Sequence, residues 1–394
     1  MLGEVEDLAA ETRPFRVLCL DGGGMRGLYT AAYLDCVATG FSRKRKCGEL
    51  DLGAAFDLIV GTSTGAIIGC ALAAGISPAV CVRLYREHGK EIFPRRMPAG
   101  FGWKLVGDVL FGMRKRAVAR GGCTLRKALT DCFGKITVGE LFAARHIALA
   151  VPAVELGHHK SWVFKTAHLT GKTNQRDDRF SLVDVCLASS ASPLFRSLAQ
   201  ISGTTQSQSD LIFADGGLWA NNPVLVGLID ALAMTGPGRA IEIYCMGTCP
   251  LPAGEDSAKV KVHRGLTDWK FGAEAAKLAI DAQEYAYDFM AKMLARHVDR
   301  ACTVMRFPRD KVPAALMPYL DLDDTREEAA KALLRQANAD ADMTNSRCGD
   351  PNDAEGQLVN RLFMTTPERN DDANPLTAVL PPGVRTQPPG HEGE

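Results

Sequence analysis

Apolar and polar positions alternate along the chain in a way that separates short buried runs from longer segments with helical spacing. Phe15 to Leu20, Leu58 to Val60, Ile147 to Val154, Trp162 to Thr166, Leu211 to Ala214, Ala240 to Met246 and Thr303 to Phe307 are apolar runs too short for helices. Many are β-branched or aromatic and several stop at glycine or aspartate, so they predict strands. Between them, residues 28–38, 66–74, 78–92, 124–133 and 181–190 predict helices. Gly75 fits a helix C-cap, and Ser77-Pro78 and Ser181 with Asp184 fit N-terminal caps. Strand and helix in alternation predict an α/β fold built on a mainly parallel sheet.

Later in the chain, Phe271, Ala275, Leu278, Ala282, Tyr285, Phe289 and Met293 fall at helical spacing, and that face is expected to pack on the core. Thr325 with Glu328 predicts a capping box opening a helix to about Ala337. Beyond Arg347, Pro, Gly, Asn and Asp dominate, and residues 346–394 are expected to form a mostly mobile tail.

Composition narrows the function classes. Lys+Arg and Asp+Glu are 46 each in 394 residues, so no global charge draws the chain to a nucleic acid polymer. The longest near-continuous apolar run, Ala66 to Ile76, is too short to span a bilayer. The acidic start MLGEVEDLAAETRPF has no apolar core of a secretory signal, and 12 scattered cysteines fit a reducing compartment, so a cytoplasmic location is expected. Cys245 and Cys249 form the one close pair; without a second pair or a nearby histidine they fit a strand end better than a metal site. Residues 93–122 mix Phe101, Trp103, Val109 and Phe111 with Arg95, Lys104, Arg114 and Arg120. That mixture fits a basic lid or a patch that docks on anionic lipid, and equally an ordinary loop and short helix packed on the core.

Three glycine-marked strand ends carry the candidate chemistry. Leu58-Ile59-Val60 runs into Gly61-Thr62-Ser63-Thr64-Gly65 and then an apolar helix, and G-x-S-x-G between strand and helix is the context of a nucleophile elbow. Side chains at Gly61 or Gly65 would collide with the crossing strand and helix, and Ser63 would stand at a helix N-terminus that favours developing negative charge. The first strand runs into Asp21-Gly22-Gly23-Gly24-Met25-Arg26-Gly27, whose letters also satisfy the dinucleotide pattern G-x-G-x-x-G. A dinucleotide site wants an acidic residue ending the next strand, which here ends in the serine elbow; successive backbone N–H groups forming an oxyanion hole fit better. The third strand ends at Asp215-Gly216-Gly217, and if the sheet is parallel all three loops share one edge. Serine needs a base. The residues alone leave two: Asp215 directly, or His263 or His297 in a Ser-Asp-His triad.

Asp21 to Gly27, Gly61 to Gly65 and Asp215 to Gly217, together with Ala188-Ser189-Ser190-Ala191-Ser192-Pro193 and Ala220-Asn221-Asn222-Pro223, closely resemble the blocks of the patatin-like phospholipases, in the same order. The resemblance spans residues 14–345. It implies a three-layer α/β/α fold and a lipid acyl hydrolase working through a Ser63–Asp215 dyad and an acyl-enzyme. It further implies an oxyanion hole in Gly22, Gly23, Gly24, Met25 and Arg26, with Gly27, Gly61, Gly65, Gly216 and Gly217 as supporting motif positions. The substrate would be a phospholipid or another acyl lipid met at the membrane periphery, with no metal, no other cofactor and no catalytic histidine. Compact bacterial members include membrane-degrading effectors of anti-phage signalling switched on by cyclic nucleotides, which adds a cyclic nucleotide activator to the expectations and leaves room for a homo-oligomer. The competing readings are an esterase with the triad and a non-catalytic lipid-binding module.

Overall fold

A computed structural model describes residues 13–94, 113–171, 175–193, 195–202, 210–249, 262–265, 268–269, 272–309 and 312–384. Its strands are β1 (Phe15–Leu20), β2 (Leu58–Gly61), β3 (Ala148–Glu155), β4 (Lys160–Lys165), β5 (Ala199–Ile201), β6 (Leu211–Asp215), β7 (Ile241–Met246) and β8 (Cys302–Arg306). They form one sheet in the order β5-β6-β3-β2-β1-β7-β8, with β4 also on β3. The helices are α1 (Gly27–Arg45), α2 (Thr64–Ala73), α3 (Pro78–Ile92), α4 (Met113–Phe133), α5 (Val138–Arg145), α6 (Leu182–Ser189), α7 (Gly217–Ala220), α8 (Val224–Met234), α9 (Ala273–Ala295), α10 (Glu327–Gly349) and α11 (Ala354–Thr365).

The pleat sends alternate strand residues into two cores. Leu18, Leu20 and Ile59 pack with α1, α2, α6 and α10 on one face of the sheet. Val17, Cys19, Leu58 and Val60 pack with α8 and with Ala291 of α9 on the other. This is the three-layer α/β/α arrangement, and the central pairs β1-β2, β1-β7, β2-β3 and β7-β8 are parallel.

The sheet is not parallel throughout, and the departure positions the site. Ala150 pairs with both Val60 and Lys165, and Ala153 with both Trp162 and Asp215. Strand β4 therefore takes one edge of β3, while β2 and β6 share the other edge end to end. Because β2 runs parallel to β3 and β6 antiparallel, their C-terminal ends face each other. Counted on from the Val60–Ala150 pair, Ser63 falls level with Ala153, the partner of Asp215. The expectation of three loops on one parallel edge is thus corrected: Asp215 arrives from the opposite direction.

Three further expectations change. Helix α4 starts at Met113 rather than near Thr124 and runs through Gly121, which lies so close to the carbonyl of Ile92 that a Cβ would collide with it. Of the basic segment 93–122, residues 95–112 lie outside the described residues. Helix α10 runs on to Gly349 through residues of low helix propensity, because Asp340 and Thr344 meet the buried hydroxyls of Tyr29 and Tyr33 on α1, at 2.5 and 2.7 Å. Residues 346–384 are not a mobile tail. Val359, Leu362, Phe363, Leu376, Leu380 and Val384 are buried in the larger core, and Phe363 stacks on Phe41 with ring centroids 5.0 Å apart. Phe363→Ala should accordingly cost about 3–5 kcal/mol of stability in chemical denaturation, as for a buried aromatic, whereas a mobile tail would give no change.

The face of α9 expected to be core points outward instead. Leu278, Tyr285, Phe289 and Met293 are exposed, and the helix seats itself through Ala291 and Ala295. Small residues let α9 approach the sheet closely, so its bulky residues are on the far side.

Candidate active site

Ser63 has φ 55° and ψ −119°, backbone space that an L-residue occupies only under strain, here at the turn from β2 into α2. The turn is held from all sides. A Cβ on Gly61 would run into the backbone of Gly65, and one on Gly65 into the carbonyls of Leu20 and Asp21, so both glycines are demanded by close approach. Thr62 donates its N–H to the Leu20 carbonyl at 3.1 Å and its hydroxyl to the Ala220 carbonyl at 2.6 Å. The Ser63 N–H donates to Ser189 Oγ at 2.9 Å, and that hydroxyl donates to the Pro152 carbonyl at 2.6 Å. Ser189, at the end of α6, thereby ties the elbow to β3.

The Ser63 hydroxyl donates to Asp215 Oδ2 at 2.9 Å. The other carboxylate oxygen accepts the Gly217 N–H at 2.7 Å, which fixes the plane of the carboxylate. Asp215 is buried, and burial raises its pKa from the ordinary carboxylate value to about 6 against the two hydrogen bonds and the Arg196 guanidinium, which pull it down. Arg196 follows the Ser189–Pro193 block and lies over the Phe93 ring at 5.5 Å. Burial lowers its own pKa to about 10. His263 and His297 are both exposed, and among the described residues no histidine hydrogen-bonds to Ser63 or Asp215.

The loop after β1 lies on the serine: a Cβ on Gly22 would sit against the Asn221 side chain and 3.2 Å from Ser63 Cβ. Not every amide of this loop is free. Gly22 N–H donates to the Asn221 carbonyl at 3.0 Å, Met25 N–H to Leu322 at 2.8 Å and Arg26 N–H to Gly23 at 3.1 Å. Gly23 and Gly24 have no such acceptor among the described residues. The Gly22 carbonyl is held by Thr248 Oγ1 at 3.0 Å and Asn221 Nδ2 at 3.2 Å, so across the planar trans peptide the Gly23 N–H points the other way. The five amides expected of the oxyanion loop therefore reduce to two free donors, and the Thr64 N–H, first in α2, also lacks a backbone acceptor. Gly27 opens α1, against the Tyr85 hydroxyl.

Residues distant in sequence brace this loop, and sequence reasoning did not find them. Arg306, at the end of β8, binds Asp21 Oδ2 at 2.5 Å and Asp288 Oδ1 at 3.3 Å. Gln283 on α9 accepts the Asn221 N–H at 2.9 Å, and Glu284 Oε1 accepts from Asn221 Nδ2. Burial raises Asp21 despite Arg306, and raises Glu284 to about 7. An arginine ending the apolar run of β8 is the one local signal that could have marked Arg306. Cys245 in β7 and Cys249 just beyond it are free thiols and buried, and the other ten cysteines likewise form no disulfide.

The arrangement presents a hydroxyl on a carboxylate, beside free amides at a helix N-terminus, which is what acyl transfer through serine requires. The family model described as patatin-like phospholipase matches residues 18–228, a stretch holding both Ser63 and Asp215. A cGAMP-activated phospholipase of Pseudomonas aeruginosa is 33% identical over 281 residues, which cover 71% of this chain and 74% of that protein. One of Vibrio cholerae is 35% identical over 216 residues, covering 54% and 56%. A cUMP-AMP-activated phospholipase of Escherichia coli is 29% identical over 314 residues, covering 77% and 85%. Fold, family match and relatives agree: the chain belongs to the patatin-like phospholipases, enzymes that hydrolyse the acyl esters of lipids.

Proposed function

We propose that the protein cleaves fatty-acyl esters of phospholipids with Ser63 as nucleophile and Asp215 as its base, and that a cyclic nucleotide switches this activity on. The observation that carries the catalytic part is the 2.9 Å hydrogen bond from Ser63 Oγ to Asp215 Oδ2 at the elbow. Ser63 Oγ attacks the ester carbonyl carbon as its proton passes to Asp215. The carbonyl oxygen becomes an oxyanion beside the Gly23 and Gly24 amides. Collapse breaks the bond to the glycerol oxygen, which takes the proton from Asp215 and leaves as lysolipid alcohol. Water then adds to the acyl-enzyme, giving its proton to Asp215, and the second collapse frees the fatty acid and restores the Ser63 hydroxyl from that proton. Asp215 is the shuttle in both halves, so no histidine is needed.

The activator is supported by the names of the relatives, two cGAMP-activated and one cUMP-AMP-activated. Among the described residues no helix is long and apolar enough to cross a membrane, and the substrate is a membrane lipid, so contact at the membrane periphery is part of the proposal. The twelve free cysteines support a reducing, cytoplasmic setting. A lipid-extract digest read by mass spectrometry, wild type beside Ser63→Ala, with and without cGAMP or cUMP-AMP, tests the whole reading. Lysolipid and free fatty acid should form with wild type alone and rise with one of the nucleotides. Product formation by Ser63→Ala refutes the nucleophile, and indifference to both nucleotides refutes the switch.

The raised pKa makes a second expectation. Only ionised Asp215 accepts the serine proton, so kcat/KM on a short soluble ester should rise with pH and level off above about 6. A limb near the ordinary carboxylate value of about 4 would contradict the buried base.

A further inference from the structure

Helix α9 has two unlike faces. Its inner side holds Asn221 through Gln283 and Glu284 and buries Ala291. Its outer side carries Ala275, Leu278, Ala282, Tyr285, Phe289 and Met293, and Leu278, Tyr285 and Phe289 are 57%, 79% and 58% exposed. Spacings of three and four, sustained from Ala275 to Phe289, are those of a seam between two packed helices. Exposed aromatic and aliphatic groups in one continuous stripe mark a surface that another body covers.

We propose that this face is where a second copy of the chain docks, the two α9 helices lying antiparallel about a two-fold axis level with Gln283 and Glu284. The stripe is complementary to itself in size. With the axis there, the small Ala282 of one copy lies against Tyr285 of the other, and Leu278 against Phe289, in both directions at once as a two-fold interface demands. It is also complementary in charge. Away from the inner side, the first half of α9 carries Glu274 and Asp281 against Lys277, and the second half with the residue after it carries Lys292 and Arg296, with Asp288 held by Arg306 at 3.3 Å and by Lys292 at 2.7 Å. Antiparallel packing lays the acidic half on the basic half and brings Lys292 of one copy beside Glu274 of the other. Anionic lipid is the poorer partner, because Asp281 is exposed along the flank of the stripe and would face headgroup phosphates. The proposal rests on the fold and not on the catalytic reading.

Sedimentation velocity on the full chain over a wide concentration range tests it. Wild type should reach a dimer, and Tyr285→Glu and Phe289→Glu, with unchanged circular dichroism, should weaken association roughly 100-fold or more, as loss of a central aromatic does. Glu274→Lys and Lys292→Glu should each weaken it, and the two together should restore most of it, a result that mere surface stickiness would not give. A wild type monomeric at every concentration overturns the proposal. So does a dimer indifferent to Tyr285→Glu and Phe289→Glu, or a charge-swapped double variant weaker than either single one. A monomeric wild type that loses binding to phosphatidylglycerol vesicles on Tyr285→Glu assigns the face to lipid and overturns it as well.

Discussion

Ser63→Ala and Asp215→Asn should each lower ester hydrolysis by roughly 10⁴- to 10⁶-fold, the scale seen when one member of a serine-base unit is removed. The two changes act on one event. Without the hydroxyl no acyl-enzyme forms. Asparagine fills the space of the aspartate, but its single oxygen accepts only one of the two hydrogen bonds, from Ser63 or from Gly217, and it takes no proton, so the attack and both proton returns fail together. The double variant should therefore be no worse than either single one. His263→Gln and His297→Gln should leave turnover within about twofold, because both side chains are exposed and bonded to neither partner. Turnover lost on either histidine change, in a protein that still folds, would replace the dyad with a triad.

Gly22→Ala should lower kcat by roughly 10²- to 10³-fold while leaving the protein folded, the range for losing one oxyanion donor. The added methyl would occupy the place of the Asn221 side-chain oxygen and lie 3.2 Å from Ser63 Cβ. Asn221 is fastened by Gln283 and Glu284 on α9, so the loop is the part that yields. A displacement of about 1 Å suffices to misaim the Gly23 and Gly24 amides. Steady-state kinetics on a soluble ester read the effect, with KM nearly unchanged because the amides grip the oxyanion and not the ground-state ester. An unimpaired Gly22→Ala would show that the oxyanion is held elsewhere, with the Thr64 amide the next donor to examine.

Much of the site was legible because its geometry demands residues that nothing else explains. A strained elbow needs glycines on both sides of the serine, and a loop laid on that serine needs glycines of its own, so Gly22 to Gly24, Gly61 and Gly65 announce the site in letters. The approach of Asp215 was legible only as a strand end. Nothing local in LIFAD encodes that β6 runs antiparallel and meets β2 head-on along one edge of β3, because strand direction is settled by partners far off in the chain. Arg306 and Glu284 were hidden for the same reason, lying far along the chain from the loop they brace. Periodicity found the apolar stripe of α9 but carried no information on which side the core lies; the small residues Ala291 and Ala295 took the inner place. Composition misjudged residues 346–384, since a few well-spaced anchors such as Leu362, Phe363 and Leu376 outweigh many polar neighbours once they reach the core.

The central claim, that Asp215 alone activates Ser63, is tested most directly by reacting the protein with a fluorophosphonate and mapping the modified peptide by mass spectrometry. The serine oxygen displaces fluoride from phosphorus only when its proton is taken up. The account predicts a single adduct on Ser63 in wild type, in His263→Gln and in His297→Gln, and almost none in Asp215→Asn. An adduct that persists in Asp215→Asn, or that disappears with either histidine, would contradict it.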